Sequence, residues 1–182
     1  MAKIAIIIAF RNFRDEEYFI PKDIFLNSGF EVITASSQKG TAIGGSGGEA
    51  EIDKTFDELD ISQFDAVVFV GGSGAYKYIE DEKVLETARL VAEQGKLLAA
   101  ICIAPAILAK AGVLQGKKAT IWSSVMDRKP VRILEEGGAE YLAKSVVCDG
   151  NIITANGPAA AQEFAQTIVQ KLPARKLRDP DL

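Results

Sequence analysis

Ala99-Ala100-Ile101-Cys102-Ile103-Ala104-Pro105-Ala106 (AAICIAPA) sets one cysteine between a run of small apolar residues and a proline. The residues leading into it, Lys96 to Ile101 (KLLAAI), read as a buried strand, because an apolar run without alternation leaves no face for water. The residues after it, Ala104 to Ala111, read as the start of a helix. Cys102 therefore stands at a strand-to-helix junction. A free cysteine is among the most buried residue types, so one reading is a small core side chain. The other is a nucleophile elbow, in which a sharp turn presents the sulfur to the first amides of a helix. Those amides and the helix dipole would hold a thiolate and lower its pKa below the free value of roughly 8.5. Position favours the elbow for Cys102. Cys148 sits in a late strand beside an Asp149-Gly150 turn and keeps the core reading.

Outward from this junction the same alternation repeats. Lys3 to Phe10 (KIAIIIAF) and Phe64 to Val70 (FDAVVFV) are further buried strands, and Phe30 to Ala35 is another. Between Asp15 and Leu26, Tyr18, Phe19, Phe25 and Leu26 recur at helical spacing, Gly29 supplies a stop, and Pro21 predicts a local kink or a short non-helical entry. Gly40 to Glu51 reads as a hairpin or loop whose glycines match no phosphate-binding fingerprint. Glu82 to Gln94 is an amphipathic helix and Ala159 to Leu172 a closing one. Lys118 to Trp122, Ser145 to Cys148 and Asn151 to Ala155 read as later strands. Strands alternating with helices imply an α/β three-layer sandwich, its sheet mainly parallel with helices on both faces. Residues 1–172 form one domain, and the charged, proline-flanked residues 173–182 read as an exposed tail. In such folds ligands sit beyond the carboxyl ends of the strands. Phe10 to Glu17, Val70 to Gly74 and Ile101 to Pro105 all reach that edge, and so point to one site.

Composition narrows the chemistry. The 182 residues are 48% hydrophobic and 25% charged, with a net charge of -4, an ordinary globular make-up without a basic stripe for nucleic acid. No apolar run reaches membrane-spanning length and no removable signal is evident, which sets the expectation of a cytoplasmic protein with no membrane partner. Two cysteines make no disulfide framework, in keeping with a reducing compartment. Histidine is absent from the chain. That excludes Cys-His and Ser-His-Asp catalysis and any His-ligated metal site. No metal and no cofactor are expected.

Two further stretches complete the candidate site. In Arg14-Asp15-Glu16-Glu17 the carboxylates suit a helix N-terminus, which accounts for Asp15 and Glu16. A carboxyl group beside the thiol, kept protonated by burial, could instead donate its proton to the sulfur and favour the anion. The residues alone leave Glu16 and Glu17 both open for that part. In Gly71-Gly72-Ser73-Gly74 the glycines let the chain turn, and they also allow close backbone approach. The Gly72 and Ile103 amides would then face the sulfur as an oxyanion pocket, with Gly71 on its wall.

Ala99 to Pro105 resembles the AIC-x-(G/A)-P elbow of the ThiJ/PfpI superfamily, which has a class I glutamine amidotransferase-like fold. The resemblance extends to the Glu17-to-Pro21 spacing, Val70-Gly71-Gly72, Gly112 to Thr120 (GVLQGKKAT) and Asn156-Gly157-Pro158. It implies a flavodoxin-like sandwich, a homodimer, a reactive Cys102 and Glu17 as its hydrogen-bond partner. Two departures follow from the missing histidine. Peptidase-like members carry one immediately after the cysteine, where this chain has Ile103. Deglycase-like members carry one twenty positions after it, where this chain has Trp122, and both residues make the pocket more apolar. Without an imidazole to protonate a leaving amine, peptidase activity is not expected. Two functions stay open. One is a Cys102-dependent enzyme acting on small reactive carbonyls or their adducts, deglycase-like or hydrolase-like, with Glu17 moving the proton. The other is a redox-sensing protein, in which an oxidant takes Cys102 to the sulfinate and stress protection results.

Overall fold

The computed structural model describes residues 1–172, so the tail expected at 173–182 lies outside the described residues. The chain runs β1 (Lys3–Ile7), β2 (Arg11–Phe13), α1 (Asp15–Asn27), β3 (Glu31–Ser36), β4 (Gly40–Gly44), β5 (Glu49–Ile52), β6 (Lys54–Thr55) and β7 (Ala66–Phe69). It continues through α2 (Glu82–Glu93), β8 (Leu97–Ile101), α3 (Pro105–Lys110), β9 (Lys118–Ala119), α4 (Lys129–Glu136), β10 (Glu140–Tyr141), β11 (Val146–Asp149), β12 (Ile152–Ala155) and α5 (Ala161–Lys171). Seven strands form the central sheet in the order β11-β12-β8-β7-β1-β3-β6. All neighbours in it are parallel except β11 and β12. The five long parallel strands, taken in chain order, stand 2-1-3-4-5 across the sheet, the flavodoxin-like doubly wound order. Helices α1 and α5 pack together on one face, α5 lying against β8 and β12, while α2 and α3 cover β8 from the other. This is the three-layer α/β sandwich the alternation predicts.

The core follows from the apolar runs. Ile4, Ile6, Ile7, Val67, Phe69, Leu98 and Ile101 are all fully or almost fully buried. Each contributes about 1.5–3 kcal/mol relative to an exposed position, an upper bound because unfolded chains already bury some surface. α1 ends where Gly29 takes φ 78 and the Phe30 N–H returns to the Phe25 carbonyl at 3.0 Å. It runs as one helix from Asp15 through Pro21, which is buried, so the short non-helical entry does not occur. α2 is capped by Asp81, whose carboxylate accepts the Lys83 and Val84 amides at 3.0 and 3.3 Å.

Several expected elements are shorter or differently placed. β1 stops at Ile7 rather than Phe10, and the chain goes on to pair as β2 with β4 in a separate three-stranded sheet. That sheet contains the β4–β5 hairpin foreseen in the glycine-rich stretch. The strand expected over Lys118–Trp122 stops at Ala119. Beyond it, Thr120 satisfies its backbone through the Thr154 hydroxyl, and Trp122 donates its N–H to the Cys102 carbonyl at 2.9 Å. Cys148 is exposed and not a core residue. On the edge strand β11 alternate residues face opposite sides, so Val147 points inward and Cys148 outward.

Candidate functional site

β8 ends at Ile101, and Cys102 then adopts φ 63, a left-handed conformation uncommon outside glycine. Its backbone is held on both sides. The Cys102 N–H donates to the Ala155 carbonyl at 2.9 Å, and its own carbonyl takes the Trp122 N–H. A strained residue fixed in this way has its side chain aimed by the surrounding structure. The sulfur opens into a cavity of about 320 Å³ lined by Arg14, Gly72, Ser73, Tyr76, Ile103, Trp122 and Pro158.

Glu17, in the first turns of α1, is buried to zero exposure beneath this cavity. Its Oε2 accepts the Gly71 N–H at 2.9 Å. Its Oε1 is buried without a hydrogen-bond partner, and Cys102 is the side chain that acts most strongly to lower the carboxyl pKa. The neighbouring carboxylates are used elsewhere. Asp15 accepts the Ser46 and Gly48 amides at 2.8 and 2.7 Å, fastening the β4–β5 turn to α1, and Glu16 pairs with the Arg14 Nε at 2.8 Å.

The glycines fit the same space. A Cβ at Gly71 would come 2.7 Å from the Cys102 Cβ and 2.8 Å from the Glu17 Oε2. At Gly72, with φ 101, it would meet the Arg14 backbone nitrogen at 2.5 Å. Gly71 lies behind the cavity, between Cys102 and Glu17, rather than on the wall where it was expected, and its carbonyl accepts the Arg14 N–H at 3.1 Å. The Gly72 and Ile103 amides act on the sulfur in the direction that favours its anion.

The acid-base balance departs from the helix-terminus expectation. Burial pushes the Glu17 carboxyl up to about 7, over the opposing pull of the Cys102 hydrogen bond, the Gly71 amide and the Arg14 charge. The Cys102 thiol is not lowered. Burial, the Glu17 charge and the Glu17 hydrogen bond push it up to about 12, against the Gly72 and Ile103 amides. The helix expected to hold the thiolate is only the six-residue α3, starting at Pro105, so its dipole is small. Two of the three influences raising the thiol come from an ionised Glu17. When the carboxyl carries the proton, that charge vanishes and the hydrogen bond reverses to favour the sulfur anion. The two groups titrate as a pair.

Sequence reasoning brings Cys102, Glu17, Gly72, Ile103 and Trp122 to one place, and the structure puts them there together. It misses Arg14 as a wall residue, together with Ser73, Tyr76 and Pro158, which arrive from separate loops. Burial, Asp127 and Cys102 push the Tyr76 phenol up, so it keeps its proton. Among the described residues no group of three or more His, Cys, Asp or Glu side chains could hold a metal ion, and no helix is long and apolar enough to cross a membrane.

The DJ-1/PfpI family model matches residues 2–171. The chain belongs to the DJ-1/PfpI family. It is 33% identical to Deglycase PfpI of Pyrococcus furiosus over 167 residues, 92% of this chain and 98% of that one. To Protein/nucleic acid deglycase 2 of Escherichia coli it is 34% identical, covering 94% and 98%. Among solved DJ-1/PfpI structures, a ThiJ/PfpI domain protein from Brachyspira murdochii superposes with TM-score 0.88 at 36% identity, covering 92% of this chain and 94% of that one. The family and the α/β fold agree with the resemblance read from the sequence, and homologues of this chain carry the deglycase name.

Proposed function

We propose that this protein acts, deglycase-like, on small reactive carbonyls or their adducts through Cys102, with Glu17 moving the proton. One observation carries the reading. A fully buried carboxyl with an unpartnered oxygen lies against a cysteine of positive φ on the floor of an open cavity. In the productive form Glu17 is protonated and Cys102 is the anion. The sulfur adds to the carbonyl carbon and a C–S bond forms as the C=O π pair moves onto oxygen. The Gly72 and Ile103 amides hold that oxygen as charge builds, and Glu17 then gives it the proton. The product is a hemithioacetal with Glu17 ionised. Nothing in this addition to a free carbonyl requires an imidazole, because no amine is expelled.

A second reading rests on the accessibility of the same sulfur. Cys102 is only partly buried and its carboxyl neighbour can hydrogen-bond an oxidised sulfur, so peroxide would convert it to the sulfinate. Assays of methylglyoxal consumption, of a fluorogenic peptide panel and of mass change after graded peroxide, each with Cys102→Ser as the blank, separate the possibilities. Methylglyoxal consumption that vanishes in the variant is the expected result. Peptide cleavage that vanishes in the variant would overturn the non-peptidase assignment. Oxidation without any turnover would favour the redox reading.

A further inference from the structure

We propose that the Cys102 pocket selects carbonyl compounds that carry a carboxylate, small 2-oxo acids, with Arg14 as the residue that determines this specificity. The proposal rests on the reading of this pocket as an electrophile site. Its observation is separate, and concerns the composition of the wall. Ile103, Trp122, Pro158, Ser73 and Tyr76 present apolar or neutral surface, and Arg14 is the one charged side chain among the residues lining the cavity. The net charge of the chain is -4, so attraction of an anion to this place needs a local cation.

Arg14 is placed for the task. Its backbone is anchored to the Gly71 carbonyl at 3.1 Å, directly behind the reacting sulfur. Its guanidinium uses Nε on Glu16 Oε2 at 2.8 Å, with Nη2 3.5 Å from Oε1, while Nη1 has no partner among the described residues. Both side chains of that pair are nearly half exposed, at 47% and 44%, so the pair is weak and solvent-screened and leaves Nη1 for an incoming anion. A planar fork with a donor to spare matches a carboxylate better than it matches a neutral aldehyde. The nearest acid beneath the pocket, Glu17, is pushed towards its neutral form by burial and then repels no incoming anion. A cavity of about 320 Å³ holds a small oxo acid with room for water, with its carbonyl over Cys102 and its carboxylate at Arg14.

The chain has a single tryptophan, Trp122, and it lies on this wall, so its fluorescence reports binding directly. The test uses Cys102→Ser protein, titrated with pyruvate and with its neutral amide, pyruvamide, at low salt. Pyruvate is expected to bind about three- to fivefold more tightly, the range of a partly exposed charge pair. Adding Arg14→Gln should bring the ratio to about one, and Arg14→Lys should keep part of the preference. Equal affinities in the Cys102→Ser protein, a preference that survives Arg14→Gln, or no response to either compound would overturn the proposal. Serine replaces the sulfur in every arm, so the outcome does not depend on whether Cys102 attacks a carbonyl. The two readings can therefore fail separately.

Discussion

The two ends of the central sheet both carry a cavity, and the larger one is at the wrong end for chemistry. At the amino ends of the strands a space of about 490 Å³ is lined by Lys3, Glu31, Asp65, Gly95 and Lys96, among others. The charges of Lys3, Glu31, Asp65 and Lys96 there are answered. The Lys3 side chain pairs with Glu31 at 2.8 Å and its backbone N–H with Asp65 at 2.8 Å. Lys96 donates to the Ile61, Ser62 and Phe64 carbonyls at 2.6, 2.8 and 2.5 Å. At the carboxyl ends the smaller cavity lies over a buried acid with an unpartnered oxygen and a cysteine at φ 63. Satisfied polar groups make a surface hollow, whereas unsatisfied ones held by the fold make a site.

That contrast is open to attack at several points. The largest effect is expected at the sulfur. Cys102→Ser should slow reaction with methylglyoxal roughly a thousandfold, because a hydroxyl lacks the nucleophilicity of the thiolate. Lys96→Met, at the other cavity, should leave that rate within about twofold while destabilising the fold by about 1–3 kcal/mol through its orphaned carbonyls. Equal loss in the two variants would erase the distinction between the ends.

Glycines give the next comparison. Gly72 has φ 101 and ψ 167, a region open essentially to glycine, and an added Cβ would strike the Arg14 nitrogen. Gly95 has φ 65 with nothing within 4 Å of its missing Cβ. Gly72→Ala should cost about 3–4 kcal/mol by urea denaturation and Gly95→Ala about 1 kcal/mol. Similar costs would show that the carboxyl end is no more constrained than the amino end.

Glu17 sharpens the contrast through pH. The pair it forms with Cys102 gives up its first proton at about 7 rather than at the 4.5 of a free carboxyl, so the stability linked to that proton is fully present below pH 4.5 and is lost as pH rises through about 7. Relative to wild type, Glu17→Gln should therefore gain about 3 kcal/mol between pH 4.5 and 7.5. Paired denaturation curves at the two pH values measure this. A difference that stays constant with pH would mean that the acid is not buried in the way described.

Much of this arrangement is legible in local patterns, and the remainder is not for identifiable reasons. The runs KIAII, AVVF and LLAAI, at Lys3–Ile7, Ala66–Phe69 and Leu97–Ile101, declare buried strands, and their order with the helices implies the parallel sheet. The elbow at Cys102 stands out because it sits at an element boundary, whereas the choice of Glu17 over Glu16 rests on the family resemblance. α4 escapes notice because its buried face is only Pro130, Val131 and Leu134 across eight residues, too short for a period to register. The 3-10 helix over Ser73–Glu80 brings Tyr76 to the cavity from a glycine-rich stretch that reads as a turn. Arg14 and Pro158 meet only through tertiary packing, about which neither local sequence carries information. The raised thiol pKa was missed for a related reason. A helix-terminus argument sees the amides that follow Cys102, whereas the buried carboxylate that opposes them comes from 85 positions away in the chain.

The central claim is that Cys102 and Glu17 share one proton and that the sulfur becomes the anion when the pair loses the other. The rate of Cys102 alkylation by iodoacetamide, followed by peptide mass from pH 5 to 10 in wild type and Glu17→Gln, tests it most directly. The account predicts an inflection near pH 7 in the wild type, where the pair gives up its first proton, and loss of that inflection in Glu17→Gln. A wild-type rate that passes through pH 7 without a break and climbs only towards the far alkaline range would place the remaining proton on sulfur, with the thiol at about 12 and Glu17 a bystander, and would contradict it.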